Sequence, residues 1–147
     1  MNPLKLLLVG LPLFAQVIPQ SPRPPRVTSG SLLLYPPVAW AAGVSGLVEV
    51  EVNTDGSKVI SVKAEGAPPV LLRRAALEFI QSWQFAPHSP IRFKASIRFT
   101  LTPVTCATRD DSNYGEVFLR LPLFAEVTAQ RQIECDPVEQ VGVSPNE

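Results

Sequence analysis

From Ile91 to Leu101 the chain alternates apolar and polar side chains without a break, and this run limits the fold more than any other stretch. Ile91, Phe93, Ala95, Ile97, Phe99 and Leu101 fall on one face of an extended strand. Arg92, Lys94, Ser96, Arg98 and Thr100 fall on the other. A period of two with neither Gly nor Pro describes a long strand with one buried face. Such a strand needs a hydrogen-bonded neighbour beside it and an apolar layer above it.

Both are legible upstream. In Leu47–Val52, Val48, Val50 and Val52 alternate with Glu49 and Glu51, and Gly46 lets the chain turn into this strand. Asn53-Thr54-Asp55-Gly56 is a turn sequence, because Asp55 tolerates the left-handed region and Gly56 enters it freely. Lys58–Ala64 is the return strand, with Ile60, Val62 and Ala64 expected on one face and Val59, Ser61 and Lys63 on the other. Over Val70–Trp83 the period changes from two to 3.6, with Leu72, Ala75 or Ala76, Phe79 and Trp83 on one side. Ala75 and Ala76 allow close approach of this helix to a sheet, Trp83 and Phe85 close the end of the core, and Pro87 and Pro90 stop the helix. Upstream, Tyr35–Gly43 predicts a short helix, bracketed by proline and glycine, with Trp40 as its packing residue. The order strand, strand, helix, strand predicts an α+β fold: a small three-stranded antiparallel sheet (β-β-α-β) packed by one main helix. A unit of about 70 residues buries only around 60% of its unfolded surface. Cover from the short helix, from the tail or from a second copy would help it.

The flanks divide the rest of the chain of 147 residues. Residues 1–15 hold Lys5 and a leucine-rich run, which predicts a signal peptide or, with Val17–Pro19 added, a short membrane anchor. Residues 16–30 form a short proline-rich linker, and 31–101 the folded module. Residues 102–147 are an acidic C-terminal extension, with three Lys and Arg against eight Asp and Glu; Arg23–Leu101 has nine against five. Alternation within Tyr114–Leu121 and Phe124–Cys135 predicts one or two further strands there. Cys106 and Cys135 are expected to form a disulfide after export. It would close a loop of about 30 residues and contribute roughly 3–4 kcal/mol on a chain-entropy argument.

Chemistry finds little support. The formal net charge of zero does not point to nucleic acid. His88 is the only histidine and reads as a solvent-exposed loop residue, and Asp110-Asp111 as a wet turn. The cysteine spacing is far from CxxC, which argues against a thiol nucleophile or a zinc site. The phosphate-cradling and nucleophile-elbow motifs are missing. The chain is therefore read as non-catalytic, with no cofactor, metal or small-molecule substrate.

Binding is read from the long strand. Arg92, Lys94 and Arg98 form a basic stripe, either a docking surface or cross-strand partners of Glu49 and Glu51 worth roughly 0.2–1 kcal/mol each. A small sheet has two edges, and Ile91, Arg92, Phe93, Lys94, Ala95, Ser96, Ile97, Arg98 and Phe99 make the expected edge strand. A protein or peptide partner would add to it by β-pairing.

Tyr35-Pro36…Ala39, Gly43-Val44-Ser45-Gly46-Leu47-Val48-Glu49-Val50, Asp55-Gly56, Leu71…Ala75-Ala76, Trp83-Gln84-Phe85-Ala86-Pro87 and Phe99-Thr100-Leu101 occur in this order. Together they resemble the C-terminal domain family of TonB, the energy transducer of the bacterial cell envelope. The resemblance implies a periplasmic location and a last strand, here Ile91–Leu101, that pairs with a peptide of an outer-membrane transporter. A transducer role implies a membrane anchor and a long spacer. The 15 residues from Gln16 to Gly30 reach at most about 50 Å, which suits a standalone envelope protein better.

Overall fold

A computed structural model gives the fold, and it describes residues 23–106 and 115–135. The signal-peptide expectation on 1–15, the linker residues 16–22, Asp110-Asp111 and the extension beyond Cys135 lie outside the described residues.

The strand and helix periods of the sequence set the centre of the molecule. Strand β2 (Gly46–Thr54) and strand β3 (Val59–Ala64) form the antiparallel hairpin. At its turn the Asp55 carboxylate accepts the backbone N–H groups of Ser57 and Lys58, each at 2.9 Å. Gly56 adopts φ +107°, and a Cβ there would run into the His88 carbonyl. Helix α2 (Val70–Gln81) packs over β2 and β3 and buries Leu72, Ala76, Phe79 and Ile80. Strand β5 (Ile91–Thr102) pairs antiparallel with the whole of β2, from Gly46 opposite Phe99 to Thr54 opposite Ile91. Val48, Val50, Val52, Ala95, Ile97 and Phe99 form the sheet's half of the core under the helix. The three valines, Ile97 and Phe99 each gain roughly 1.5–3 kcal/mol from burial.

Three local expectations are corrected. The register of the hairpin shifts between Asn53 and Thr54, so Val59 faces buried Thr54 while Ser61 faces Asn53. The extra residue, Ile60, is pushed out to 58% exposure instead of joining Val62 and Ala64. In helix α1 (Pro37–Ala41) the buried residue is Ala39, not Trp40. Trp40 lies against the C-terminal strand and donates its indole N–H to the Gln130 carbonyl. Finally, Val27–Ser29, within the stretch expected as linker, forms strand β1, paired antiparallel with strand β4 (Gln84–Phe85). Leu33, a few residues on, is a fully buried core side chain.

The larger correction concerns the sheet. The described residues hold seven strands in two sheets and two helices, not a three-stranded antiparallel sheet under one main helix. β1 and β4 make the small sheet, and the main sheet has five strands in the order β3-β2-β5-β7-β6. The tail supplies the last two, β6 (Glu116–Arg120) and β7 (Phe124–Gln130), as an antiparallel hairpin. A plain meander would have laid β6 beside β5. Instead β7 takes that place, parallel to β5, with Ser96 opposite Phe124 and Thr102 opposite Gln130. The composition of β7 suits the inner position. Ala125, Val127 and Ala129 are short enough to be covered completely and are all buried, whereas every residue of β6 is exposed.

Because β5 and β7 run parallel, both chains leave the sheet at the same end. Cys106 and Cys135 follow within a few residues and are joined by a disulfide, with Cα atoms 5.7 Å apart. A disulfide of this kind belongs to an oxidising compartment. Among the described residues no helix is long and apolar enough to cross a membrane.

Candidate protein-binding edge

Strand β5 is an interior strand from Ser96 onward. Ser96, Ile97, Arg98 and Phe99 lie between β2 and β7, and the Ser96 N–H donates to the Leu123 carbonyl at 2.9 Å. Ile91, Arg92, Phe93, Lys94 and Ala95 keep β2 on one side, while β7 begins only opposite Ser96. The sequence could not reveal this, since alternation tells which face a strand buries and not which strand lies next to it.

The basic stripe on β5 is largely matched by the chain itself. Arg92 donates to the Asn53 side chain at 2.9 Å and sits 3.8 Å from Glu51. Lys94 pairs with Glu65 at 2.9 Å, rather than directly with Glu49 or Glu51. Glu65, through its hydrogen bond and then its charge, raises the lysine pKa above its ordinary value, with weaker help from Glu49 and Glu51. Arg98 lies over the Phe124 ring, 5.5 Å from its centroid. Sequence reasoning passed over Glu65, although its place one residue beyond β3 and two past Lys63 carries the pleat toward the stripe.

Among the described residues the outermost strands of the main sheet are β3 and β6. β3 carries the Ile60 bulge and the exposed Lys63, both of which hinder the addition of another strand. β6 carries neither a bulge nor a proline nor a lysine. Its Val117, Phe118 and Leu119 are 38%, 48% and 46% exposed, a contiguous apolar run on an outermost strand. Register places Val117 and Leu119 on the helix-covered face, opposite Val127 and Ala125. Glu116, Phe118 and Arg120 lie on the open face, opposite Thr128, Glu126 and Phe124. There Phe118 meets Phe124 edge-on at 6.3 Å, and the Arg120 guanidinium lies 5.1 Å from the Phe118 centroid.

Two backbone hydrogen bonds between β5 and the ends of β7 fix the main-chain polarity. Leu123 O accepts from Ser96, and Arg131 N donates to Thr102 O at 2.9 Å, so the odd residues of β7 face β5. Phe124, Glu126 and Thr128 therefore turn their main-chain groups toward β6 and meet those of Arg120, Phe118 and Glu116. The N–H and C=O of Val117 and Leu119 project outward, where no strand of the described residues lies.

Gly46 is the first residue of β2, and Asp55 and Gly56 form the hairpin turn. Ala76 is fully buried against the sheet and Ala75 partly so. Trp83 and Phe85 are buried at the end of the core with their rings at right angles, 6.3 Å apart, and exposed Pro87 lies just beyond. His88 is half-buried rather than solvent-exposed, with its ring packed edge-on to Phe85 at 5.4 Å. A shallow hollow lined by Lys58, Ile60, Ser82, Trp83 and Gln84 lies near the small sheet. Among the described residues no cluster of His, Cys, Asp and Glu could hold a metal ion. Comparison with protein-family models and with curated proteins finds no match for this chain.

Proposed function

We propose that this chain is a non-catalytic protein-binding module of the bacterial cell envelope, exported to the periplasm, and that it binds by strand addition at β6. The observation that carries the reading is the open β6 edge: three neighbouring apolar side chains half exposed, and four main-chain groups pointing outward. Added-strand recognition takes its affinity from such main-chain groups and its selectivity from the side chains between them. The disulfide supports an oxidising location. The ordered residues from Tyr35 to Leu101 that resemble the TonB C-terminal domain family support the envelope and a binding rather than a catalytic role. A transducer that paired a transporter peptide along β5 would have to displace β7 from Ser96–Thr102. No observation favours that second reading.

The test uses Val117→Pro. The Val117 N–H faces outward, so proline there removes an edge donor while leaving the β6–β7 bonds in place. A photo-crosslinker at Leu119 in the otherwise native chain is expected to form a discrete adduct in the periplasm. Val117→Pro should reduce that adduct at least tenfold. A crosslinker at Arg74, on the exposed face of α2, serves as the control. Adducts at Leu119 that persist in the proline variant, or that are no stronger than at Arg74, would overturn strand addition at β6.

A further inference from the structure

The strand β6 reads Glu116-Val117-Phe118-Leu119-Arg120, which is complementary to its own reverse. We propose that the partner at this edge is a second copy of the chain, with β6 paired antiparallel to β6 of the other protomer about a two-fold axis at Phe118. The inference rests on the reading of β6 as a binding edge and adds the identity of what occupies it.

Three independent features of the strand meet in one register. The outward main-chain groups belong to Val117 and Leu119, and pairing about Phe118 sets Val117 of one protomer opposite Leu119 of its partner. Each such pair exchanges two N–H···O=C bonds, so all four outward groups of each strand are satisfied. The side chains then match in kind. On the open face Glu116 meets the Arg120 position across the axis, and the reverse pair repeats it. Phe118 meets its own copy at the non-hydrogen-bonded site, where side chains approach most closely, with Cα atoms about 4.5 Å apart. On the helix-covered face Val117 and Leu119 cover one another. Opposed residues share a face in an antiparallel pair, and here charges meet charges while aliphatic groups meet aliphatic groups.

Other registers lose these matches. A shift of two residues sets either Val117 or Leu119 opposite itself, and leaves Glu116 facing Phe118 or Pro122. Only the register centred on Phe118 pairs the glutamate with the arginine. The contact is isologous and closes on itself, giving a ten-stranded sheet that ends at a bulged β3 on both sides. Its small extent makes it a weak dimer, with a dissociation constant on the order of micromolar.

Sedimentation velocity of the disulfide-intact chain over a wide concentration range tests this with two charge reversals at exposed sites. The natural chain is expected to shift from monomer to dimer. Glu116→Arg and Arg120→Glu should each remain monomeric at concentrations where the natural chain dimerises, because like charges then face one another twice. An equimolar mixture of the two variants should regain the dimer, since every pair in the mixed species is again opposite in sign. Dimers that ignore both reversals, or variants that fail to complement, overturn the two-fold β6 contact. A natural chain that stays monomeric at about a hundred times that dissociation constant overturns it too. In that event Leu119 adducts with a different protein, still sensitive to Val117→Pro, would leave the binding edge standing. Slow exchange of the Val117 and Leu119 amides in a monomer would show instead that another part of this chain covers β6, and both readings would fall.

Discussion

At the scale of single residues, Asp55 shows how one side chain sets a register. Its carboxylate accepts the N–H groups of Lys58 and Ser57 together with the Ser57 hydroxyl, and these bonds, the Lys58 one foremost, lower its pKa below the ordinary value. A depressed carboxylate stabilises the fold above its unfolded pKa of about 3.9, and that contribution disappears as pH falls through the folded value. Asparagine keeps the accepting oxygen but does not titrate. Asp55→Asn should therefore be slightly less stable than the natural chain at pH 7, yet lose less stability between pH 5 and pH 2. Urea melts across that range decide it: parallel curves for the two proteins would refute this role for the carboxylate. The turn was legible because Asp-Gly has a local mechanism. Ile60 and Trp40 were not, for different reasons. A bulge one residue long erases the parity of everything before it, and in a five-residue helix one buried position suffices, here taken by Ala39 because Trp40 reaches for the Gln130 carbonyl.

Among the elements, those with their own period were readable. β2, β3, α2 and β5 each repeat at two or 3.6 residues for long enough to fix a face. β1 and β4 have three and two residues, too few for any period, and exist because Val27 meets Phe85 across the end of the core. The C-terminal hairpin was half readable. Its alternation was visible, but the insertion of β7 between β5 and β6 depends on which strand can be buried on both sides. The disulfide ties the leads from β5 and β7 together, so its loss should act first on their pairing. Reduction should cost about 3–4 kcal/mol for a loop of this length. Under reducing conditions, amide exchange should quicken at Ser96, Arg98 and Thr100, which face β7, before it does at Ile97, which faces β2. Equal acceleration at all four amides would mean that the cross-link stabilises the molecule as a whole and not this joint.

For the whole molecule, the main consequence is where the sheet is left unfinished. The expected edge is filled from Ser96 onward by the chain's own tail, and the strand open along its whole length lies two strands outward, at β6. No single-sequence pattern marks that displacement, although the self-complementary run Glu116–Arg120 was present to be read. If two copies share the edge, the native state is linked to concentration, and Tm should rise with protein concentration in the natural chain. Differential scanning calorimetry over a hundredfold range is expected to show the rise, and to lose it in Glu116→Arg. A concentration-independent Tm in the natural chain would speak against any stabilising self-association. The parallel course of β5 and β7 carries a different consequence, for assembly. A chain that had docked β6 against β5 would hold its two thiols one strand spacing, roughly 5 Å, further apart, at a lower effective concentration for each other. Oxidation therefore proofreads strand order: the bond closes most readily on chains that have already threaded β7 into the inner place, and keeps them there.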